Sequence, residues 1–360
     1  MRKKKHNRAV HALAERYMRL NSGRSMKKKL LLKILTALTT ALLCSGTAYA
    51  DTLITNGGAE IDYADLAYCV QDEEAPVVYY LSDISPDSLV KIYEAMEWSG
   101  KSPVAVKLST GEPPKSNYLK PELIEDLVKA VDGTIVECNT AYAGQRAATA
   151  EHYIVAEEHG YTKIADFQVM DEDGSMELPV TGGDRLTGNL VGDHFKDYGS
   201  YIILSHFKGH QMAGYGGAIK NASIGLASAR GKVRIHSGGT SDTHWADELQ
   251  TEFLECMAEA AKSVTDYLGD QVIFINVMNR ISIDCDCDGN PAEPDIHDIG
   301  ILASTDPAAV DQACLDLVWN ADGNETLLRR IDEQEGLHTL EHAEKIGLGS
   351  RHYRLVNLDE

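Results

Sequence analysis

Between residues 77 and 319, short apolar runs rich in β-branched residues alternate with longer amphipathic stretches. Alternating strands and helices of this length are typical of a mainly parallel α/β sheet with helices on both faces, in one lobe or two. The apolar runs predict strands at 77–81, 104–108, 134–138, 201–204, 272–277 and 299–303. The amphipathic stretches predict helices at 85–97, 121–131, 147–159, 248–268 and from Asp306-Pro307, an N-cap and first helical residue, to about Trp319. The Gly-rich stretch 214–217 predicts the start of a further helix, and residues 171–192 a hinge or an inserted hairpin.

The first 50 residues differ in charge from the rest of the chain. They hold 12 Lys+Arg and one acid, Glu15, whereas the remainder holds 22 basic and 54 acidic residues. A chain this acidic is repelled by phosphate backbones and anionic headgroups, so nucleic acid and membrane surfaces are excluded as partners. A small-molecule ligand is the partner we expect, and the sequence does not identify a redox partner.

Residues 26–50 carry the pattern of a signal peptide. A basic start at residues 27–29 precedes an apolar core at 30–43, and Ala48-Tyr49-Ala50 forms a small-x-small cleavage site. We predict cleavage after Ala50, export to the periplasm or the exterior, and no membrane attachment afterwards. Residues 1–25 are an upstream extension or a mis-called start, residues 51–75 an acidic lead-in, and residues 76–360 the α/β domain.

Five apolar runs end in polar clusters. In open parallel sheets, ligands bind beyond the carboxyl ends of the strands, so these clusters predict one shared cleft. Turn chemistry alone favours Gly, Asn, Asp, Ser and Pro and does not call for histidines, lysines and thiols. The clusters begin at Lys107, Asn139, Ser205, Asn276 and Ser304.

The richest cluster is the segment 205–221. Two histidines with three residues between them can chelate a metal from one helical face, and two lysines bring positive charge to an acidic protein. Glycines before a helix allow close backbone approach, and a helix N-terminus attracts anions. A histidine would act as base or metal ligand. The candidate catalytic residues are His206, His210, Lys208 and Lys220, and the candidate cofactor-binding residues are Gly214, Gly216, Gly217 and Asn221.

A second cluster follows the strand at 272–277 and contains two cysteines separated by one aspartate. The pair could share a transition metal, act as a redox couple, or belong to an acidic loop without a ligand. The spacing Asp284, Asp286, Asp288, Gly289 also matches the start of a calcium loop, although Asp295 stands where a glutamate is usual. The candidate metal ligands are therefore Cys285, Cys287, Asp284 and Asp286.

Several long motifs carry a resemblance to a known family. The segments SHFKGHQMAGYGGAIKNASIGLASARGK, CDC and DIGILASTDPAAVDQACLDLV resemble the bacterial and archaeal family catalogued as domain of unknown function 362. The resemblance extends over roughly residues 76–360 and implies an α/β fold without an established reaction. A weaker similarity, to the nickel-pincer lactate racemase family, would place Lys220 and His206 or His210 against a cofactor in an interlobe cleft.

Members of the first family are commonly labelled iron–sulfur centre proteins, and many insert a cysteine-rich, ferredoxin-like cassette. This chain departs from that pattern, because no cysteine lies between Lys232 and Cys256 and the chain contains no C-x-x-C. A four-iron four-sulfur cluster needs four thiolates, so we do not expect one here. His236 and His244 occupy the corresponding Gly/Ser/Thr-rich stretch, where we expect both to be solvated.

Together these features predict an exported metal- or cofactor-dependent enzyme of redox or isomerase type that acts on a small anionic substrate. The histidines would be ligands or bases, the lysines would hold the anion, and the cysteines would be ligands or a redox pair. The alternative is a non-catalytic protein that binds a small ligand or calcium with the same residues.

Overall fold

An eight-stranded sheet lies at the centre of the fold. The computed structural model describes residues 53–56, 59–246 and 249–359, so the predicted upstream extension and signal peptide lie outside the described residues. Residues Thr52–Glu360 form one compact unit. The strands are β1 Leu53–Asn56, β2 Ala59–Asp62, β3 Val77–Leu81, β4 Val104–Lys107, β5 Gly133–Glu137, β6 Phe167–Val169, β7 Ser175–Pro179, β8 Gly188–Gly192, β9 Ser200–His206, β10 Lys208–His210, β11 Gly214–Gly216, β12 Val272–Met278, β13 Gly300–Ser304 and β14 Arg354–Asn357.

The central sheet is mostly parallel, as the sequence predicts. Its strand order is β14-β3-β13-β12-β9-β4-β5-β6. Strand β13 runs antiparallel to both of its neighbours, β12 and β3, and the other neighbouring pairs are parallel. The α-helices are α1 Pro86–Ala95, α2 Pro121–Ala130, α3 Thr149–Glu158, α4 Ala218–Lys220, α5 Ala229–His236, α6 Gln250–Leu268, α7 Pro307–Trp319, α8 Glu325–Glu333 and α9 His338–Lys345.

Helices cover both faces of this sheet because the central strands are apolar on both sides. In β9, Ile202 and Leu204 join the core that contains residues of α1 and α2. Tyr201 and Ile203 alternate with them and join the opposite core, which contains residues of α6 and α7. The predicted α/β fold with helices on both faces is therefore confirmed.

The predicted start of α7 is confirmed in detail. Pro307 occupies its first turn, and the Asp306 side chain accepts hydrogen bonds from the backbone N–H groups of Ala308 and Ala309. Residues 171–192 contain the antiparallel pair β7–β8, which is the hairpin alternative of the prediction.

Two local predictions are wrong. His206 and His210 do not share a helical face, since they lie at the ends of β9 and β10, in extended backbone. His236 is not solvated. It lies at the end of α5, buried, with its ring stacked on Trp245 and Phe253 at centroid distances of 3.9 and 4.6 Å. Within the described part of the chain, no helix is long and apolar enough to cross a membrane.

Candidate functional site

One cavity of about 100 Å³ opens where several strands end. Lys107 closes β4, Glu137 closes β5 and His206 closes β9, and all three line the cavity. Because β4, β5, β9 and β12 are parallel, their carboxyl ends lie at the same edge of the sheet. The loop that follows β12 adds residues 285–287. Four of the five polar clusters predicted at strand ends therefore contribute residues to this cavity.

The fifth strand end, Ser304–Asp306, does not reach the cavity. Strand β13 runs antiparallel to β12, so its carboxyl end lies at the opposite edge of the sheet. There Asp306 caps α7 and accepts a hydrogen bond from the backbone N–H of Ser350. The prediction that all five ends share one cleft is wrong at this strand.

The lining of the cavity is strongly cationic. Five of its residues are lysine or arginine and two are carboxylic acids, although the whole chain carries a formal charge of -21. A concentration of one charge sign in a cleft attracts small ions of the other sign. The basic residues are Lys107, Arg146, Lys208, Lys220 and Lys232, and the acids are Glu137 and Asp286.

Asp286 is bound by two basic side chains, those of His206 and Lys208. Its Oδ1 atom lies 2.8 Å from Nδ1 of His206, and its Oδ2 atom forms an ion pair of 2.9 Å with Nζ of Lys208. Although burial opposes ionisation, these partners hold the pKa of Asp286 well below its usual range. Nε2 of His206 lies 2.7 Å from the carbonyl oxygen of Asn279, so both ring nitrogens face oxygen atoms. His206 thus positions Asp286 and has no free nitrogen for a metal.

Two further lysines form hydrogen bonds without a carboxylate. Nζ of Lys107 donates to the carbonyl of Leu108 and to Oδ1 of Asn221, at 2.6 and 2.9 Å. Nζ of Lys232 donates to the carbonyl of Ala227 at 2.6 Å. Burial lowers the pKa of Lys107 to about 8. The amide of Asn221 also donates to Leu204 and Ser205, so this predicted cofactor-binding residue is already saturated by the protein.

Lys220 differs from the other cations of the cavity. Among the described residues, its ammonium group has neither an ion-pair nor a hydrogen-bond partner. Burial, and next the charge of Lys208, lower the pKa of Lys220 to about 7. The side chain can therefore exchange a proton near neutral pH, and its charge is available to a bound anion.

The glycines before Lys220 serve the protein rather than a ligand. The backbone N–H groups of Ala218 and Ile219, at the start of α4, donate to the carboxylate of Asp311 at 2.7 and 3.0 Å. A Cβ atom at Gly217 would overlap this carboxylate. Gly214 has a φ of 78° and lies against the backbone of α8 and Gly336. The predicted anion cradle at this helix start is wrong because Asp311 fills it. Gly216 and Gly217 line the cavity, whereas Gly214 does not.

The two cysteines after β12 are bonded to each other, and both line the cavity. The backbone N–H of Cys287 donates to Sγ of Cys285 at 3.3 Å. A ring nitrogen of His210 and the two sulfur atoms lie within 4.8 Å of one another. These three residues form the one group of potential metal ligands among the described residues.

The hydrogen bonds of His210 determine whether its ring can serve as a metal ligand beside the cysteines. Its Nδ1 atom accepts from the backbone N–H groups of Met212 and Ala213 at 3.2 and 3.0 Å. Burial, with Lys220 nearby, holds the pKa of His210 well below its usual range, so the ring is neutral and carries its proton on Nε2. A neutral ring in this state offers a metal no free lone pair. His210 is therefore not available as a third metal ligand beside the two cysteines.

The aspartates of the predicted calcium loop do not converge. Asp284 accepts from the backbone N–H of Ala292 and lies 3.9 Å from Arg330, while Asp286 faces His206 and Lys208. Asp288 accepts from the N–H of Asn290, and Asp295 accepts from the hydroxyl of Thr326. Asp284 and Asp286, predicted as metal ligands, thus have protein partners instead.

Sequence reasoning missed a buried network on the other side of the cavity. Arg146 donates to Glu112 at 2.9 Å, to Glu137 at 3.0 Å and to the hydroxyl of Tyr142 at 2.8 Å. Burial opposes ionisation of Glu137, but Arg146 and His152 hold its pKa well below its usual range. Glu137 and Arg146 lie nine residues apart in the chain, on either side of a loop, and no local pattern indicates that they pair.

The fold and the cavity define an α/β protein with a cationic cleft at the carboxyl edge of its sheet. The chain belongs to the family described as "Domain of unknown function (DUF362)", whose match extends over residues 104–316. This confirms the resemblance found in the sequence. No curated protein matches the chain.

Two solved structures are similar to parts of the chain. One is the lactate racemase apoprotein from Thermoanaerobacterium thermosaccharolyticum, at 16% identity and a TM-score of 0.36, with 63% of this chain and 55% of that chain covered. The other is a structural-genomics protein from Thermotoga maritima, at 12% identity and a TM-score of 0.38, with 74% and 61% covered. The chain thus spans less than two thirds of either protein.

Proposed function

We propose that the protein is a redox enzyme that binds a small anionic substrate in the cationic cleft. The observation that carries this proposal is the charge of the lining, where five basic residues face two carboxylates in a protein with a charge of -21. This is the redox branch of the function expected from the sequence. We favour it because His210 has no free lone pair for a metal, while the two bonded sulfur atoms lie in the cleft.

Lys208 and Arg146 are paired with carboxylates, but the other three cations of the cleft have no ion-pair partner within the described part of the chain. Burying a charged group without a partner costs several kcal/mol, so an unpaired lysine is retained only where something else recovers that cost. Lys220 has no partner among the described residues, and Lys107 and Lys232 hydrogen-bond without ion pairs. A bound anion would supply the missing negative charge.

The size of the cavity limits the substrate. About 100 Å³ suits a molecule of a few non-hydrogen atoms, since sites for drug-sized ligands are typically about 300–1,000 Å³. We therefore propose a small carboxylate or oxyanion rather than a nucleotide or a polymer. Arg146 and the lysines would orient it against residues 285–287.

We also propose that the protein is exported, on the strength of the signal-peptide pattern at residues 26–50. An oxidising compartment permits a Cys285–Cys287 disulfide to persist, whereas the cytosol keeps most thiols reduced. Mass spectrometry of the protein from cell fractions tests this, because cleavage after Ala50 leaves Asp51 as the first residue.

Calorimetric titration with oxalate, lactate and sulfate tests the binding step. We expect at least one anion to bind, and Lys220→Met to weaken that binding about tenfold or more. Lys101→Met is the matched control, because Lys101 is exposed and remote from the cavity lining. If no small anion binds, or if both variants bind equally well, the proposal is wrong.

A turnover assay distinguishes an enzyme from a non-catalytic protein that binds a small ligand. A mixture of small 2-hydroxy and 2-oxo acids and small thiols is incubated with the protein and a two-electron redox dye, and followed by proton NMR. Consumption of one acid or thiol that Lys220→Met loses would support the enzyme. Binding without consumption would leave a non-catalytic small-ligand protein.

A further inference from the structure

The Cys285–Cys287 disulfide lies in the wall of the cationic cleft, and its position allows a narrower inference. We propose that it is a redox centre that undergoes thiol–disulfide exchange with a small anionic thiol. The inference rests on the proposed function, because the anionic thiol is the substrate that the cleft would bind. Its class is a short thiol that carries a carboxylate.

A structural role does not explain this disulfide. The stabilisation that a disulfide gives through the unfolded chain grows with the length of the loop that it closes. Cys285 and Cys287 are separated by two positions, so the bond removes very little freedom from the unfolded chain. The described chain also contains four cysteines that remain unpaired, at positions 69, 138, 256 and 314. Among the described cysteines, pairing is thus confined to Cys285 and Cys287, while Cys138, which also lines the cleft, has a free thiol.

The surroundings of the two sulfur atoms determine which sulfur is attacked and which one leaves as the thiolate. Cys287 is partly exposed, whereas Cys285 is only 4% exposed. The backbone N–H of Cys287 already donates to Sγ of Cys285, and this hydrogen bond strengthens when that sulfur becomes a thiolate. A ring nitrogen of His210 also lies within 4.8 Å of both sulfur atoms. Attack therefore falls on Cys287, and Cys285 leaves as the stabilised thiolate.

The charges of the cleft select the attacking thiol. Lys220 has no ion-pair or hydrogen-bond partner for its ammonium group in the part of the chain that the structure describes, and it lines the same cavity as both cysteines. The ammonium of Lys208 is 2.9 Å from Asp286, the residue between the two cysteines, which brings a second cation to the loop. When Lys220 binds the carboxylate of the substrate, the thiolate of the same substrate would lie against Cys287.

The exchange balances without a further reactant. The thiolate of the substrate forms a bond to Sγ of Cys287 as the Cys285–Cys287 bond breaks, and the electron pair of that bond stays on Sγ of Cys285. A second thiolate then attacks the substrate sulfur of the mixed disulfide and releases Cys287 as a thiolate. Two substrate thiolates are oxidised to one disulfide, and the protein disulfide is reduced to two thiolates.

The first experiment locates the attacked sulfur. Full-length Cys285→Ser and Cys287→Ser variants are incubated with the oxidised dimer of mercaptoacetate, and adducts are mapped by mass spectrometry. We expect a mixed disulfide on Cys287 in Cys285→Ser, and little adduct on Cys285 in Cys287→Ser because Cys285 is buried. An adduct mainly on Cys285 would overturn the direction of attack.

The second experiment measures the rates at which mercaptoacetate, 2-mercaptoethanol and cysteamine reduce the wild-type disulfide. The three thiols are similar in size and carry a negative charge, no charge and a positive charge. Each rate is divided by the rate of the same thiol with a small cyclic disulfide, which removes differences in intrinsic reactivity. We expect mercaptoacetate to be favoured about tenfold or more over 2-mercaptoethanol.

Two variants test whether the preference for mercaptoacetate depends on the cations of the cleft. We expect Lys220→Met to abolish the preference for mercaptoacetate and Lys101→Met to retain it. Equal normalised rates for the three thiols, or a preference that survives Lys220→Met, would overturn the inference. If oxalate or lactate binds in calorimetry while no thiol is favoured, the proposed anion site stands and the thiol inference alone fails.

Discussion

Nδ1 of His206 lies 2.8 Å from Oδ1 of Asp286, and this contact joins the end of β9 to the loop that follows β12. Lys208 binds the other oxygen of the same carboxylate, and the backbone carbonyl of Asp286 accepts from the N–H of Glu112. One aspartate thus connects three separate segments of the cleft wall. The position of the two flanking cysteines depends on it.

We expect Asp286→Asn to destabilise the protein by about 3–5 kcal/mol, because it removes the countercharge of Lys208 and weakens the hydrogen bond to His206. Urea denaturation measures the change in the free energy of unfolding. Asp288→Asn is the matched control, since Asp288 accepts one backbone hydrogen bond that asparagine can also accept. Equal stability of the two variants would show that the buried pair contributes nothing.

Gly217→Ala tests the structural role of the glycine segment. The added methyl group would overlap the carboxylate of Asp311, which binds the first N–H groups of α4. We expect a loss of about 1–3 kcal/mol in the free energy of unfolding, as is usual for overpacking. Gly216→Ala is the control, because its nearest neighbour is the flexible Lys220 side chain at 3.3 Å. A loss as large in the control would point to backbone strain instead.

The parts of the fold that local patterns specify were predictable. The apolar runs within β9 and β12 predict buried strands, and Asp306-Pro307 supplies an N-cap and a first-turn proline for a helix. The reversed direction of β13 was not predictable, because it depends on how the chain between 279 and 299 returns to the sheet. The site, too, has parts that local sequence patterns predict and parts that they do not. Its histidine, lysines and cysteines stand in recognisable clusters, whereas Asp311 occupies the start of α4 from 93 residues away.

His236 makes stability depend on pH. Burial lowers the pKa of His236 to about 3, whereas an unfolded histidine titrates near 6.5. The unfolded state therefore binds the proton first as the pH falls, and the stability present above pH 6.5 is lost toward pH 3. Phenylalanine keeps the stacking on Trp245 and Phe253 but cannot be protonated.

We expect His236→Phe to gain stability relative to the wild type by roughly 1 kcal/mol for each pH unit below 6. Urea denaturation at pH 7, 5.5 and 4.5 measures this. His244→Phe, at an exposed position, should leave the pH dependence unchanged. If the free energies of unfolding of the wild type and His236→Phe change equally with pH, His236 is not the source of the pH dependence.

Because of Lys220, the stability of the protein and its affinity for anions should change in opposite directions as the pH rises. Because its folded pKa is about 7 and an unfolded lysine titrates near 10.4, the unfolded state binds more protons between these values, and stability rises with pH across them. Anion binding should fall over the same range, since the neutral amine no longer attracts the ligand. Lys220→Met should remove both trends and be more stable at pH 7 by roughly 2 kcal/mol. Calorimetry and urea denaturation at pH 6, 7.5 and 9 provide the two measurements.

Metal binding by the reduced protein tests the assignment of His210. Reduction frees two thiolates that can bind Co²⁺ and give a sulfur-to-cobalt charge-transfer absorption, which Cys285→Ser should weaken strongly. Loss of a metal-supporting residue typically costs about tenfold or more in affinity. We expect His210→Ala to cost much less than that, because Nδ1 is held by Met212 and Ala213 and Nε2 carries the proton. A tenfold loss in His210→Ala would show that the ring turns to release a lone pair, and the cleft would then be a metal centre whose ligands the disulfide masks.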